Sequence, residues 1–397
     1  MLGHRFAHSL TRLGTETAFE VLAKARKLEA EGKEIVHLEI GEPDFDTPRN
    51  IIDAGIEALN GGFTHYTPAP GLPQTRAAIA DYVRRYKNVP AAPEEVVVVP
   101  GGKPIMFFTI MALCNPGDEV IYPNPGFPIY ESVINFVGAN PVPIPLREEN
   151  EFRLDVNELA ALISPKTKLI ILNSPANPTG GVLKESDVRT IAELVQGKEI
   201  FVLSDEIYER LVYNGQKPVS VATMPGMKDW TIILDGFSKT YAMTGWRIGY
   251  GVMNKELASW VTKLMVNSNS CTAAFTQMAA VEALNGAQDG PEKMLQEFVR
   301  RRDIIADGLN SIPGVKCAKP LGAFYVFPNL KSFGRSSQEI ADYLLQEAGV
   351  ACLSGTSFGA YGEGYIRLSY ANSVANIEKA VERIKAALAK INRLSIR

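Results

Sequence analysis

Cysteine and histidine are scarce in this chain, with four of each among 397 residues. Cys114, Cys271, Cys317 and Cys352 lie far apart with no paired spacing, which argues against a disulfide framework and a cysteine zinc site. His4, His8, His37 and His65 are equally unclustered, so no metal is expected. No apolar run approaches the roughly 20 residues needed to span a bilayer. The opening stretch, "MLGHRFAHSLTRLG", lacks the apolar centre of a secretory signal. An excess of one charge is missing too: a net charge of −3 leaves no nucleic-acid footprint. Neither a GxxxxGK[ST] loop nor a GxGxxG turn after an early strand occurs, which argues against Walker-type nucleotide binding and a nicotinamide dehydrogenase. A metal-free, cytoplasmic protein is the expectation.

What is present is a rhythm. Short β-branched runs, "EEVVVVP" (94–100), "DEVIYP" (118–123), "KLIILNSP" (168–175), "EIFVLSDE" (199–206), "TIILDG" (231–236) and "RIGYGVM" (247–253), alternate with helical patterns. Apolar runs of this length with helices between them predict buried strands of a mostly parallel sheet. Beyond residue 290 a long charged helix leads to "GAFYVFP", "YIRLSY" and an amphipathic final helix. The expected fold is α/β. Residues 1–40 form an N-terminal segment packing with a small domain, 41–290 a large domain with helices flanking the sheet, and 291–397 a smaller α+β domain.

Ligands of parallel sheets sit beyond the carboxyl ends of the strands. There this sequence places Gly101-Gly102-Lys103 opening a helix, an anion site if its N–H groups are free. It also places Asn177 in "NSPANPTGG", Asp205 and Tyr208 in "SDEIY", Lys239 in "DGFSK", and Arg247 before the next strand. Singly each has a bland reading as turn residue, helix cap or solvated charge. Together they supply what one cofactor needs. N–H donors and an arginine suit a phosphate, a carboxylate suits a protonated pyridine nitrogen, and Asn and Tyr suit a ring oxygen. A lysine suits an aldehyde, with which it forms a Schiff base.

At this point the sequence resembles the class I/II pyridoxal-phosphate-dependent aminotransferases of the aspartate aminotransferase fold family. The likeness runs from "LEIGEPDFDTP" (38–48) through "HYTPAPGLPQTRAAIA" (65–80) to "YIRLSY" (365–370), and "SKTYAMTGWRIGY" is its most specific block. The resemblance implies pyridoxal 5'-phosphate as cofactor, Lys239 as Schiff-base lysine and proton shuttle, and Asp205 as partner of the ring nitrogen. It implies that Asn177 and Tyr208 bond the ring oxygen, that Gly102 and Lys103 give backbone N–H groups to the phosphate, and that Arg247 gives its guanidinium. Phe127 takes the place of the stacking aromatic. Tyr66 matches the tyrosine that reaches the phosphate of a neighbouring subunit, which implies a homodimer with shared sites. Arg367 matches the clamp on the substrate carboxylate; Gly41 supplies a backbone contact, and Asn177 counts with the substrate site as well.

The implied activity moves an amino group between an L-amino acid and a 2-oxo acid by a ping-pong scheme. β-Elimination on the same fold is the alternative, since it needs the same lysine and aspartate. Two positions depart from the family pattern. Gly236 stands where a phosphate-binding serine is common, with Ser238 as a candidate replacement. Glu16 occupies a region where a neutral polar residue is common. It either repels a second substrate carboxylate or belongs to the start of the next helix, capped by Thr15 or Thr17.

Overall fold

The valine run 96–99 is buried at every position, and so are most residues of the other apolar runs. β-Branched side chains with no polar alternation fit a strand covered on both faces. In a computed structural model of the protein, describing residues 6–394, they do form such a sheet. His4 and the outermost residues of the 1–40 and 291–397 segments lie outside the described residues.

The strands are β1 (Val36–His37), β2 (Val96–Val99), β3 (Glu119–Asn124), β4 (Asn140–Pro145), β5 (Thr167–Asn173) and β6 (Phe201–Asp205). They continue with β7 (Thr231–Gly236), β8 (Gly249–Val252), β9 (Tyr325–Val326), β10 (Val350–Ala351), β11 (Leu353–Ser354) and β12 (Ile366–Ser369). The central sheet runs β2-β8-β7-β6-β5-β3-β4. Neighbours from β4 through β7 are parallel, and β8 lies antiparallel between β7 and β2. Apolar cores cover its two faces, one built on Val97, Leu203 and Ile232, the other on Val98, Ile233 and Tyr250.

Three details differ from the sequence reading. Strand β4, "NPVPIP", has no counterpart in it. It pairs only with β3, and an edge tolerates its prolines. The strand of the run 247–253 begins only at Gly249, so Arg247 stands two residues before β8, with φ at +54°. The N-terminal segment contacts two regions. β1 pairs in parallel with β10, while Arg12 of the short turn His8–Arg12 donates to the Asn135 and Phe136 carbonyls at 2.6 and 2.8 Å.

A separate three-stranded sheet, β11-β12-β9, carries Arg367. The helices Asp289–Asn310 and Val374–Leu394 pack against each other in the same core. That core also takes in Tyr208, Leu211 and Tyr213 from the chain after β6, so the small sheet is fastened directly to the carboxyl edge of the large one.

Candidate active site

The register of the central sheet sets the site. Asn173 is opposite Asp205, and Asp205 opposite Leu234, so the ends of β5, β6 and β7 deliver neighbouring side chains at one edge. Asn173 ties them together. Its amide donates to the Asp205 carbonyl at 3.1 Å, and its side-chain oxygen accepts the Asn177 N–H at 2.8 Å.

Asp205 is buried and accepts the Tyr130 hydroxyl at 2.5 Å and the Ile207 N–H at 3.3 Å. Burial still raises its pKa to about 6, those two donors pulling the other way. Such a carboxyl is kept ready for a cationic N–H partner. Lys239 is half-buried, and its ammonium donates to the Gly41 carbonyl. Burial lowers its pKa to about 8; Glu42 and Glu16 oppose the shift, while Arg367 and Arg247 add to it. An amine in that range is both a nucleophile and a proton acceptor near neutral pH.

The loop after β2 makes the anion end. Gly102 precedes the helix Lys103–Leu113, whose first turn contains Pro104, a residue with no N–H to leave unsatisfied. Gly101 has φ at +79°, and a Cβ built on it would lie 2.1 Å from Nη2 of Arg247. The guanidinium therefore rests directly against the glycine, beside the positive end of the helix. Gly249 enables this approach: a Cβ there would stand 2.5 Å from the Gly102 nitrogen.

Arg367 closes the opposite wall. It is buried, donates to Asn177 Oδ1 at 3.2 Å and to the Glu39 carbonyl, and lies over the Tyr325 ring at 4.5 Å. Its Nε has no hydrogen-bond partner among the described residues, a buried donor left free for a ligand. The Tyr208 and Tyr325 hydroxyls bond each other at 2.7 Å.

One cleft of about 1100 Å³ gathers these groups. Asn177, Asp205, Tyr208, Lys239 and Arg247 line it, together with Gly41, Gly102, Lys103, Phe127, Ser238 and Arg367. Tyr66 does not; it stands 91% exposed, away from the cleft. Three contributors escaped the sequence reading. Tyr130 ends the stretch "YPNPGFPIY" (122–130) around Phe127 and Tyr325 lies in "GAFYVFP", and only their folded contacts distinguish them from core residues. Glu39 contributes its carbonyl, which no side-chain pattern reports. The expected cap before the helix Thr17–Ala30 is corrected as well. Glu16 holds the N-cap position without any side-chain capping bond, and its carboxylate pairs with the Lys103 ammonium across the mouth of the cleft.

The chain matches the family model for aminotransferase class I and II over residues 33–384. It is 41% identical to an aspartate aminotransferase of Pyrococcus abyssi, covering 90% of this chain and 92% of that one. It is 39% identical to aromatic-amino-acid aminotransferase 2 of Thermococcus litoralis, over 89% and 92% of the two chains. Among solved structures, the Thermus thermophilus aspartate aminotransferase with maleate superposes with a TM-score of 0.92 at 35% identity, over 96% of this chain and 99% of that one. With the family model spanning most of the sequence and the fold shared almost end to end, this protein belongs to the class I and II aminotransferases, a pyridoxal-phosphate-dependent family, and transamination is its activity.

Proposed function

We propose that the chain binds pyridoxal 5'-phosphate in this cleft and uses it to pass an amino group from an L-amino acid to a 2-oxo acid in two half-reactions. The observation that carries the reading is the coexistence, in one cleft, of a lysine whose proton is loosened by burial, a buried carboxylate and an arginine with an unpartnered buried Nε. These residues fit the cofactor. Gly102, Lys103 and Ser238 with the Arg247 guanidinium would hold the phosphate, and Asp205 the ring nitrogen. Asn177 and Tyr208 would bond the ring oxygen, and Phe127 would cover one face. When bound, the cofactor supplies an aldehyde that takes up the substrate amine and a ring that accepts the electron pair left at Cα.

With the cofactor bound, Lys239 Nζ would take the Cα proton and deliver it to the cofactor carbon on the far side of the amine nitrogen, a transfer that a pKa near 8 allows in both directions. Arg367 fixes the substrate carboxylate through two parallel hydrogen bonds, with Gly41 contributing a backbone contact. Asp205 stays ionised against a cationic partner, since an opposite charge favours the charged form. We further propose a cytoplasmic homodimer in which Tyr66 reaches the neighbour's phosphate, and working units divided near residues 40 and 290. The exposure of Tyr66 supports the first. The test is Lys239→Ala: it should retain the fold, measured by circular dichroism, and lose at least about a thousandfold in turnover across a panel of amino donors. Substantial residual transamination without added amine would exclude Lys239 from the chemistry.

A further inference from the structure

On the face of the central sheet away from the cleft, Lys87 is buried among three carboxylates. It is the last residue of the helix Pro73–Lys87, and its side chain is 2% exposed. Its ammonium donates to Glu206 at 2.8 Å and to Glu209, and forms an ion pair with Asp235 at 2.9 Å. Every carboxylate is held from a second side. Ser204 donates to Glu206 at 2.8 Å, Tyr82 to Glu209 at 2.6 Å, and the Gly236 N–H to Asp235 at 2.7 Å, with Tyr250 adding a bond at 3.1 Å.

A buried ion cluster of this kind is weak evidence for a stability device, because well-packed apolar residues of the same volume stabilise as much or more. Its location suggests another purpose. Asp205 and Leu234 are register partners, and both line the cleft. Side chains alternate between faces along a strand, so Glu206 and Asp235, one position further on, point to the opposite side. Glu206 is thus bonded to Asp205 through the chain, and Asp235 lies in the last two residues of β7, four positions before Lys239. The Glu206 N–H also bonds the Leu234 carbonyl at 2.9 Å.

We propose that Lys87 is a positioning residue: by drawing Glu206 and Asp235 together behind the sheet, it fixes from the far side the two chain segments that present Asp205 and Lys239 to the cleft. Lys87 touches no group in the cleft and acts only through these two neighbours. The inference rests on the proposed roles of Asp205 and Lys239. A carboxylate at 235 is central to it, because Asp235 both pairs with Lys87 and accepts the N–H of Gly236, the residue that ends β7 ahead of Lys239.

Three variants test it in the full-length protein: Lys87→Met, Lys87→Arg and Asp235→Asn. Two readouts are needed. The first is kcat and KM for an amino donor. The second, in the cofactor-free chain, is the rate at which Lys239 is reductively methylated by formaldehyde as a function of pH, read by peptide mass spectrometry. Lys87→Met and Asp235→Asn should lower kcat about tenfold or more with KM little changed, as expected for reacting groups displaced by a fraction of an ångström. Both should displace the pH midpoint of Lys239 methylation, and Lys87→Arg should recover most of each effect. A lower melting temperature with wild-type kcat and an unmoved methylation midpoint in both variants would overturn the proposal and leave the cluster purely structural. Should Lys87→Met not fold, Asp235→Asn, which keeps the shape and an oxygen for the Gly236 N–H, decides alone. An active Lys239→Ala enzyme would instead refute the underlying reading; an inactive one beside unaffected Lys87 and Asp235 variants would refute this inference only.

Discussion

At the scale of single residues, the chemistry depends on one amine that burial has made less basic. The Lys239 pKa of about 8 compares with 10.5 for an ordinary lysine. In the cofactor-free chain, the rate of Lys239 reaction with small aldehydes should therefore rise through about pH 8, well below the ordinary lysine value of 10.5. The linkage has a definite sign. Between those two values the unfolded chain keeps a proton on Lys239 that the folded chain has lost, so this residue's contribution to stability grows as pH rises across that window. Reactivity that rises only with the bulk lysines, measured by peptide mapping, would contradict it. A second residue-scale prediction concerns Glu16. Its carboxylate occupies the Lys103 ammonium at the cleft mouth, which should disfavour donors carrying a second carboxylate. Glu16→Gln should raise kcat/KM for aspartate relative to phenylalanine by about tenfold, roughly 1.4 kcal/mol. An unchanged ratio would assign Glu16 no part in side-chain selection. Lys239 and Arg367 were legible because each lies in a stretch whose residue types are specific. Glu16 was legible only as a choice between two roles, since its partner is 87 positions away along the chain.

At the scale of elements, what the sequence conveys is strand existence, and what it hides is pairing. The runs "VVVV" and "TIIL" predicted buried strands because no polar alternation interrupts them. β4 was invisible for a physical reason: three prolines in "NPVPIP" cannot donate to a ladder, and only an edge place beside β3 admits them. Likewise, nothing local shows that β8 runs antiparallel between β7 and β2, yet that insertion presses Gly249 against the Gly101–Gly102 loop. Gly249→Ala tests the consequence. Its Cβ would meet the Gly102 nitrogen at 2.5 Å and the Gly101 carbonyl carbon at 2.8 Å, both backbone atoms that cannot rotate away. The loop must shift, at about 1–3 kcal/mol for overpacking of this kind. Pyridoxal phosphate affinity, titrated by protein fluorescence, should weaken about tenfold or more, while groups distant from the loop, such as Arg367, keep their affinity for a substrate-like monocarboxylate. Unaltered cofactor affinity would mean that the loop does not hold the phosphate.

At the scale of the whole molecule, one candidate residue has no place in the cleft of its own chain. Tyr66 lies in "HYTPAPGLPQTR", between a short turn and the helix Pro73–Lys87, and is 91% exposed, an unusual position for a large aromatic with a polar tip. If it completes a neighbour's site, each site takes its lysine from one chain and its tyrosine from the other. The Tyr66→Phe homodimer then loses one hydrogen bond to a charged group at both sites, weakening cofactor binding by about 1.5–3 kcal/mol. A heterodimer of a Tyr66→Phe chain with a Lys239→Ala chain behaves differently. Its single lysine-bearing site lies in the Tyr66→Phe chain and borrows an intact Tyr66 from the partner, so that site should bind cofactor with wild-type affinity. A tyrosine acting within its own chain gives the opposite result, a weakened site in both the heterodimer and the homodimer. Tagging the two chains differently, purifying the mixed species and titrating pyridoxal phosphate separates the two cases. Sedimentation as a monomer at micromolar concentration would remove the shared site altogether.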